Sequence, residues 1–282
     1  MNLQTVKKRT AALLFLFFLS GICVIQMRIC ITFGRVMNLK GDAGTSACFR
    51  KQQLSEETLK RLHEVSQETG VSKGALLSVW MPMEHFCPVD GGELTAESYV
   101  KWDAYFSKYR KKEYAKLQVL YQAVWDDVVY FPTGEGMTYE DSWMFERNYG
   151  GKRRHEGCDL MPPENQSGRY PIFSMTDGIV EKVGWLEKGG FRLGIRSPHG
   201  GYFYYAHLSD YAMDFQIGQK VQAGDLIGYM GDTGYGPEGT RGMFDVHLHL
   251  GVYVRTEENP EISVNPYWIL KSLEGQILKY RY

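Results

Sequence analysis

Cysteine is too scarce and too unevenly placed to hold this protein together. Of five cysteines in 282 residues, Cys23 and Cys30 fall inside an apolar run, leaving Cys48, Cys87 and Cys158. An odd remainder argues against a disulfide framework; Cys48 and Cys87 are free to pair, and Cys158 is expected to face the core. Net charge is lacking too, because 32 Lys and Arg stand against 33 Asp and Glu, a formal charge of -1. No global basic field therefore directs the chain to nucleic acid. A small-x-small cleavage site is missing after the apolar run, which argues for an uncleaved anchor over a removed leader. A lipid-modified cysteine is also disfavoured, because Cys23 follows Ile22 instead of a small residue and Cys48 lies far from the run.

Lys7-Lys8-Arg9 precedes an apolar stretch from Thr10 to Met27 that resumes after Arg28 and reaches Phe33, long enough to cross a bilayer. The basic flank predicts a cytoplasmic tail and single-pass anchor over 1–40, with everything after about Arg35 outside the cell membrane. Arg28 can snorkel to the far interface. The small residues Gly41 to Ser46 read as a linker into a helical region, 41–133. Ser55 is placed to cap a helix that carries Glu56 and Glu57 in its first turn, Leu59, Leu62 and Val65 on one side, and Gly70 after its end. A second helix starts near Ser72 and must stop or kink at Pro82. Tyr99, Trp102, Phe106 and Tyr109, then Leu117, Tyr121 and Val124, repeat at helical spacing and read as packing stripes. The region is expected to serve as a spacer or as a docking surface for protein partners.

Glycine is plentiful, with 31 residues beside 19 tyrosines, which suits a turn-rich β protein. From Tyr170 the pattern changes to period two, with strands expected over 172–175, 178–183, 191–196, 202–206, 226–230 and 244–253. Asp177-Gly178 and His199-Gly200-Gly201 are their turns, and His199 reads as a turn histidine with no partner. These strands imply a mainly antiparallel β-sheet unit over 134–282. Its centre is the segment Phe244 to Tyr253, where His247 and His249 project to one face of a strand while Val246, Leu248 and Leu250 enter the opposite layer. Upstream, His155-Glu-Gly-Cys-Asp159 offers an imidazole and a carboxylate, with Gly157 to permit the tight path between them. Tyr204-Tyr-Ala-His207-Leu adds another histidine, and alternation puts Tyr204 and Tyr205 on opposite faces. A catalytic zinc takes three protein ligands and keeps an open position, and the three motifs together supply enough donors.

These motifs, H-x-x-x-D, Y-x-H-L and H-x-H in that order, resemble the lysostaphin or LytM type of zinc endopeptidase that cuts peptidoglycan. The resemblance covers about Gly134 to the C-terminus. It implies the LytM-type fold with its duplicated hybrid motif, one zinc ion per chain held by His155, Asp159 and His249, and His207 with His247 as an unliganded catalytic pair. The implied substrate is a stem or cross-bridge peptide of peptidoglycan. One departure stands out: the loop Gly231-Asp-Thr-Gly234 is followed by a longer Tyr235 to Met243 segment than the family carries, which bears on peptide specificity.

Three rival readings are weaker. Leu76 to Glu84 resembles the opening of lysozyme-like transglycosylases, but Pro82 disturbs the helix and no second carboxylate motif supports Glu84. Ile217 to Gly228 resembles the hairpin of biotinyl and lipoyl carriers, but no displayed lysine accompanies it. A non-catalytic scaffold or regulator of cell-wall hydrolases is the remaining class, and such relatives typically lack motif histidines that this chain keeps.

Overall fold

The structure, a computed structural model, describes residues 3–88, 94–148 and 151–280. Helix α1 (Leu3–Met37) contains a 31-residue apolar segment, Lys7–Met37, long enough to cross a membrane and unburied in its most apolar window. At about 1.5 Å per residue it reaches some 45 Å. The end of α1 is anchored in the helical region: Val36 is fully buried, Phe33 meets Tyr109 edge-on at 5.1 Å, and Arg35 donates to the Met83 carbonyl at 2.5 Å. The expected linker is not loose. Ala43–Thr45 form a 3-10 turn, and Gly44 sits so close to Leu120 that a Cβ would lie 2.1 Å from its Cδ1.

Hydroxyl caps start the next helices where the sequence pattern puts them. Ser46 caps α2 (Ala47–Lys51), and Ser55 caps α3 (Glu56–Thr69), which Gly70 ends in the left-handed region. Ser72 caps α4 (Lys73–Met83), which tolerates Pro82 in its last turn. Thr95 and Ser98 form a reciprocal capping box on α5 (Ala96–Tyr109), and α6 (Lys111–Trp125) comes directly after it. The stripes are core at their centres, since Trp102, Phe106, Leu117, Tyr121 and Val124 are all buried, but the first stripe reaches the surface at its ends, with Tyr99 half-buried and Tyr109 exposed.

The remainder is strand. A small ribbon of β1 (Glu146–Arg147) and β2 (Arg153–Arg154) precedes β3 (Cys158–Leu160), β4 (Pro171–Phe173), β5 (Gly178–Leu186) and β6 (Gly190–Arg196). Then come β7 (Tyr202–Tyr211), β8 (Lys220–Val221), β9 (Leu226–Met230), β10 (Leu248–Val254), β11 (Ile262–Val264) and a closing helix α7 (Tyr267–Leu273). All pairings are antiparallel, and the main path runs β11-β10-β7-β6-β5-β8. β10 is the hub. Its first half pairs with β3, its second half with β11, and its other edge with β7. It starts four residues later than the sequence pattern suggests, and His247 precedes it in a bridge to Gly231.

The core face carries Leu248, Leu250, Val252, Phe203 and Tyr205, each fully buried, in one continuous cluster with Trp80, Trp125 and Phe49 of the helices. Arg50 ties α2 to β11 by donating to the Ser263 carbonyl and hydroxyl, both at 2.9 Å. Two expectations change here. Cys48 and Cys87 do not pair, since both are free and exposed, whereas Cys158 is buried as expected. His199 does have a partner: its Nδ1 lies 2.7 Å from Asp127 Oδ1, and its backbone N–H donates to Oδ2 of the same carboxylate.

Candidate metal centre

Strand register assembles the site. His249 on β10 lies directly across from Asp159 on β3 and from Ala206 on β7, so the carboxylate and the imidazole share one face. His155 enters from the segment just before β3. Gly157 is needed there for space, because a Cβ would sit 2.5 Å from the Leu250 carbonyl and 2.6 Å from the His249 ring. The conformational freedom the sequence suggested is not what the position uses.

His155 Nε2, His249 Nδ1 and Asp159 Oδ1 form a triangle with sides of 3.0, 3.0 and 2.9 Å, and among the described residues they form a group of candidate metal ligands. Tetrahedral bonds of about 2.0–2.1 Å would set such donors about 3.3 Å apart, close to what is observed. The protonation pattern also fits a cation. His155 Nδ1 lies 3.1 Å from the Ser142 carbonyl, which accepts, and 3.2 Å from Arg147 Nη2, which donates; with its proton on Nδ1 toward the carbonyl, the ring offers the Nε2 lone pair to the site. Burial works to raise the Asp159 carboxyl, but the close approach of the His155 and His249 ring nitrogens, with His247 beyond them, holds it well below the usual carboxylate range. Burial pushes His249 down, against the pull of Asp159. An ionised carboxylate and neutral imidazoles are the forms a metal ion takes.

His207 and His247 stand opposite, with ring centroids 4.7 Å apart. His207 Nδ1 lies 2.8 Å from the Thr233 carbonyl and His247 Nδ1 lies 2.7 Å from that of Asp245. Each carbonyl fixes a proton on Nδ1 and so turns the Nε2 of each ring elsewhere; that of His247 is 3.8 Å from Asp159 Oδ1. Burial, then the charges of His247 and His249, push His207 well below the ordinary histidine value. All five residues singled out from the sequence line one groove of about 810 Å³. Tyr204 lines it as well, while Tyr205 is buried and its hydroxyl accepts from the Met175 N–H.

Several contributors were not visible in the motifs. Arg147 donates to Asp159 Oδ2 at 2.8 Å, leaving Oδ1 as the atom that faces the two imidazoles. Ser142 acts through both its carbonyl and its hydroxyl, and Asp245 through its carbonyl, and no side-chain pattern announces the carbonyls. Thr233, inside the Gly231 to Gly234 loop, donates to the Leu208 carbonyl at 2.7 Å and accepts from the Phe191 N–H. The longer loop after it borders the groove through Tyr235 and Met243, and the Tyr235 ring lies nearly parallel to His207, 18° between planes.

A crystal structure from Ruminococcus gnavus, named for a glycyl-glycine endopeptidase LytM, superposes with a TM-score of 0.76 at 41% identity, covering 89% of this chain and 98% of that one. The profile of peptidase family M23 matches residues 153–263. The chain belongs to peptidase family M23. The L-Ala--D-Glu endopeptidase of Bacillus subtilis is 39% identical over 143 residues, 51% of this M23 chain and 42% of the relative. Lysostaphin of Staphylococcus simulans is 31% identical over 104 residues, 36% of the chain and 19% of the relative. The chain thus spans less than half the length of these two curated relatives. The M23 match begins at Arg153 and ends at Ser263, so it takes in the five groove residues and leaves the helical region outside.

Proposed function

We propose that this chain is a membrane-anchored zinc endopeptidase that hydrolyses a peptide bond of bacterial peptidoglycan. The observation that carries the reading is the juxtaposition of the His155, Asp159 and His249 donors with two imidazoles whose Nδ1 protons are fixed by carbonyls. A zinc ion bound there would supply Lewis acidity and a water acidified towards neutrality. Arg147 would keep the Asp159 carboxylate ionised and oriented. An Nε2 of His207 or His247 would accept the proton of the attacking water and return it to the leaving amine as the C–N bond breaks. The partner ring, once protonated, would donate to the carbonyl oxygen as it gains negative charge. Burial of His207 keeps its ring unprotonated near neutral pH, which leaves a nitrogen lone pair open to the proton of the water.

The membrane reading rests on α1, whose basic flank precedes its apolar length. We take 1–40 as tail and anchor, 41–133 as a helical region with surface for protein partners, and 134–282 as the metallopeptidase unit outside the membrane. The relatives' names point to two kinds of bond, a neutral glycyl-glycine bond and a bond beside glutamate.

The test uses the full chain in detergent with purified cell wall. Metal analysis should find one zinc per chain, lost in Asp159→Ala and kept in His207→Ala and His247→Ala. New amino termini should appear with the parent protein and fall at least about a hundredfold in either histidine variant. Bound zinc with no new amino termini would favour a scaffold that retains the site, and metal retained in Asp159→Ala would overturn the ligand assignment.

A further inference from the structure

The groove beside the metal site carries more positive charge than the chemistry needs. Its lining includes Arg147, Arg153, Arg154, Lys182, Lys188 and Arg192, against the carboxylates Glu156, Asp159 and Glu261. Some of the cations are committed. Arg147 is bound to Asp159, Lys182 to Glu261, and Arg153 to the Tyr235 hydroxyl. Arg192 is not: among the described residues its Nη1 is buried without a hydrogen-bond partner and no carboxylate pairs with it.

Register places Arg192 in relation to the metal site. On β6 it falls between the pairings Phe191 with Leu208 and Leu193 with Tyr205, in line with Ala206 on β7, which faces His249 on β10. Adjacent strands lie about 4.8 Å apart, so Arg192 and His249 are about 10 Å apart at the backbone, within the span of a few peptide residues. A second unpartnered donor lies nearby. Tyr202 is 2% exposed, and its hydroxyl is buried with no hydrogen-bond partner among the described residues. The ring lies over Gly194, where a Cβ would come within 1.9 Å of that hydroxyl, so Gly194 makes room for it. Gly194 and Arg192 are two apart on one strand and share a face. Burial raises the Tyr202 phenol, which therefore stays a donor.

Two buried donors without acceptors, on one face of a groove rimmed by Lys188 and Arg154, await an anionic acceptor. We propose that Arg192 and the Tyr202 hydroxyl form a carboxylate-binding subsite that selects acidic peptides, so that the groove takes a stem peptide with a free glutamate carboxyl and discriminates against neutral glycine bridges. The proposal rests on the endopeptidase reading for its position in catalysis, but the subsite is a property of the groove and is measurable without turnover. An arginine presents a planar fork to a carboxylate and forms two charge-assisted hydrogen bonds, which a carboxamide cannot match. Polyglycine has no group to offer it.

The experiment uses the full chain in detergent and three probes: a muropeptide stem with the glutamate α-carboxyl free, the same stem with that group amidated, and pentaglycine. The free acid should exceed the amide in kcat/KM by about tenfold or more, mostly through KM, with pentaglycine lowest. Arg192→Met should bring the acid-to-amide ratio close to one, Arg192→Lys should keep part of it, and Tyr202→Phe should lower it about threefold. Raising salt from about 50 to 500 mM should shrink the ratio in the parent protein. Binding of the same probes to metal-free protein, measured by calorimetry, separates the two ideas. Acid-selective binding that Arg192→Met abolishes supports the subsite even where nothing is hydrolysed, a result that would sink the endopeptidase reading alone. Equal binding of acid and amide, an Arg192→Met variant that keeps the parent ratio, or pentaglycine cleaved as well as the acid stem overturns the subsite.

Discussion

At the scale of single residues, backbone geometry decides which side chains reach the groove. His207 shows how. By strict alternation it has the parity of Tyr205 and belongs in the core, yet it lines the groove beside Ala206. Its φ of 63° is a left-handed value that a histidine rarely adopts. Irregular register on both neighbours, between Phe191 and Leu193 and between Leu208 and Asp210, accompanies the turn. The motif made His207 legible as a candidate, but period-two reading could not have shown how it arrives. Gly157 makes the complementary point, because the sequence marks it and the reason is proximity to the His249 ring. Gly157→Ala is expected to fold with a near-parental circular dichroism spectrum and to lose metal affinity about tenfold to a hundredfold, since the new methyl displaces His249 from its place beside Asp159. Competition with a zinc chelator measures it, and unchanged affinity would show that the ring can move aside at no cost.

At the scale of elements, caps and stripes were legible and junctions were not. Ser55, Ser72 and Gly70 do what local hydrogen-bonding chemistry requires of them, so α3 and α4 could be bounded from sequence. Residues 41–46 have the composition of a linker and are instead packed, because Gly44 fits against Leu120, a contact 76 residues away that no local pattern encodes. Another such junction lies just after α6. Asp126 accepts from the Gly74 N–H at 2.6 Å and from the Ser72 hydroxyl at 2.7 Å, while Asp127 holds His199 at the turn between β6 and β7. The hydrogen bond to Asp127 raises His199 above its ordinary value, against burial. A raised histidine stabilises the fold fully below its unfolded value near 6.5 and loses that contribution as pH rises through the native value. His199→Gln should therefore destabilise the protein more at pH 5.5 than at pH 9. The difference should stay under about 1 kcal/mol, because the imidazole is half-exposed and screened. Urea melts at the two pH values decide it, and an equal loss at both would assign the residue to shape alone.

At the scale of the whole molecule, the helical region and the sheet share one core, although their sequence patterns read as separate units. Trp125 is 2% exposed and donates to Gln52 Oε1, and Phe131 is likewise buried. Before residue 134 the chain has already joined the sheet through bridges from Val128 to Thr176 and from Thr133 to Ile172. Gly201, at the turn into β7, approaches the Ala123 carbonyl so closely that a Cβ would lie 2.0 Å from it. The family match, confined to 153–263, gives no hint of this dependence. A chain cut to 134–282 would strip cover from Leu250, Val252 and Phe203, large apolar groups worth about 1.5–3 kcal/mol each when fully buried. It is expected to be soluble only poorly and to melt well below a chain beginning at residue 38, which keeps the helices and should unfold in a single transition. Calorimetry of the two fragments, with zinc present at equal excess, tests the point. Two separate transitions in the longer fragment, or matching melting temperatures in both, would mean that the sheet holds itself together and the helices only ride on it.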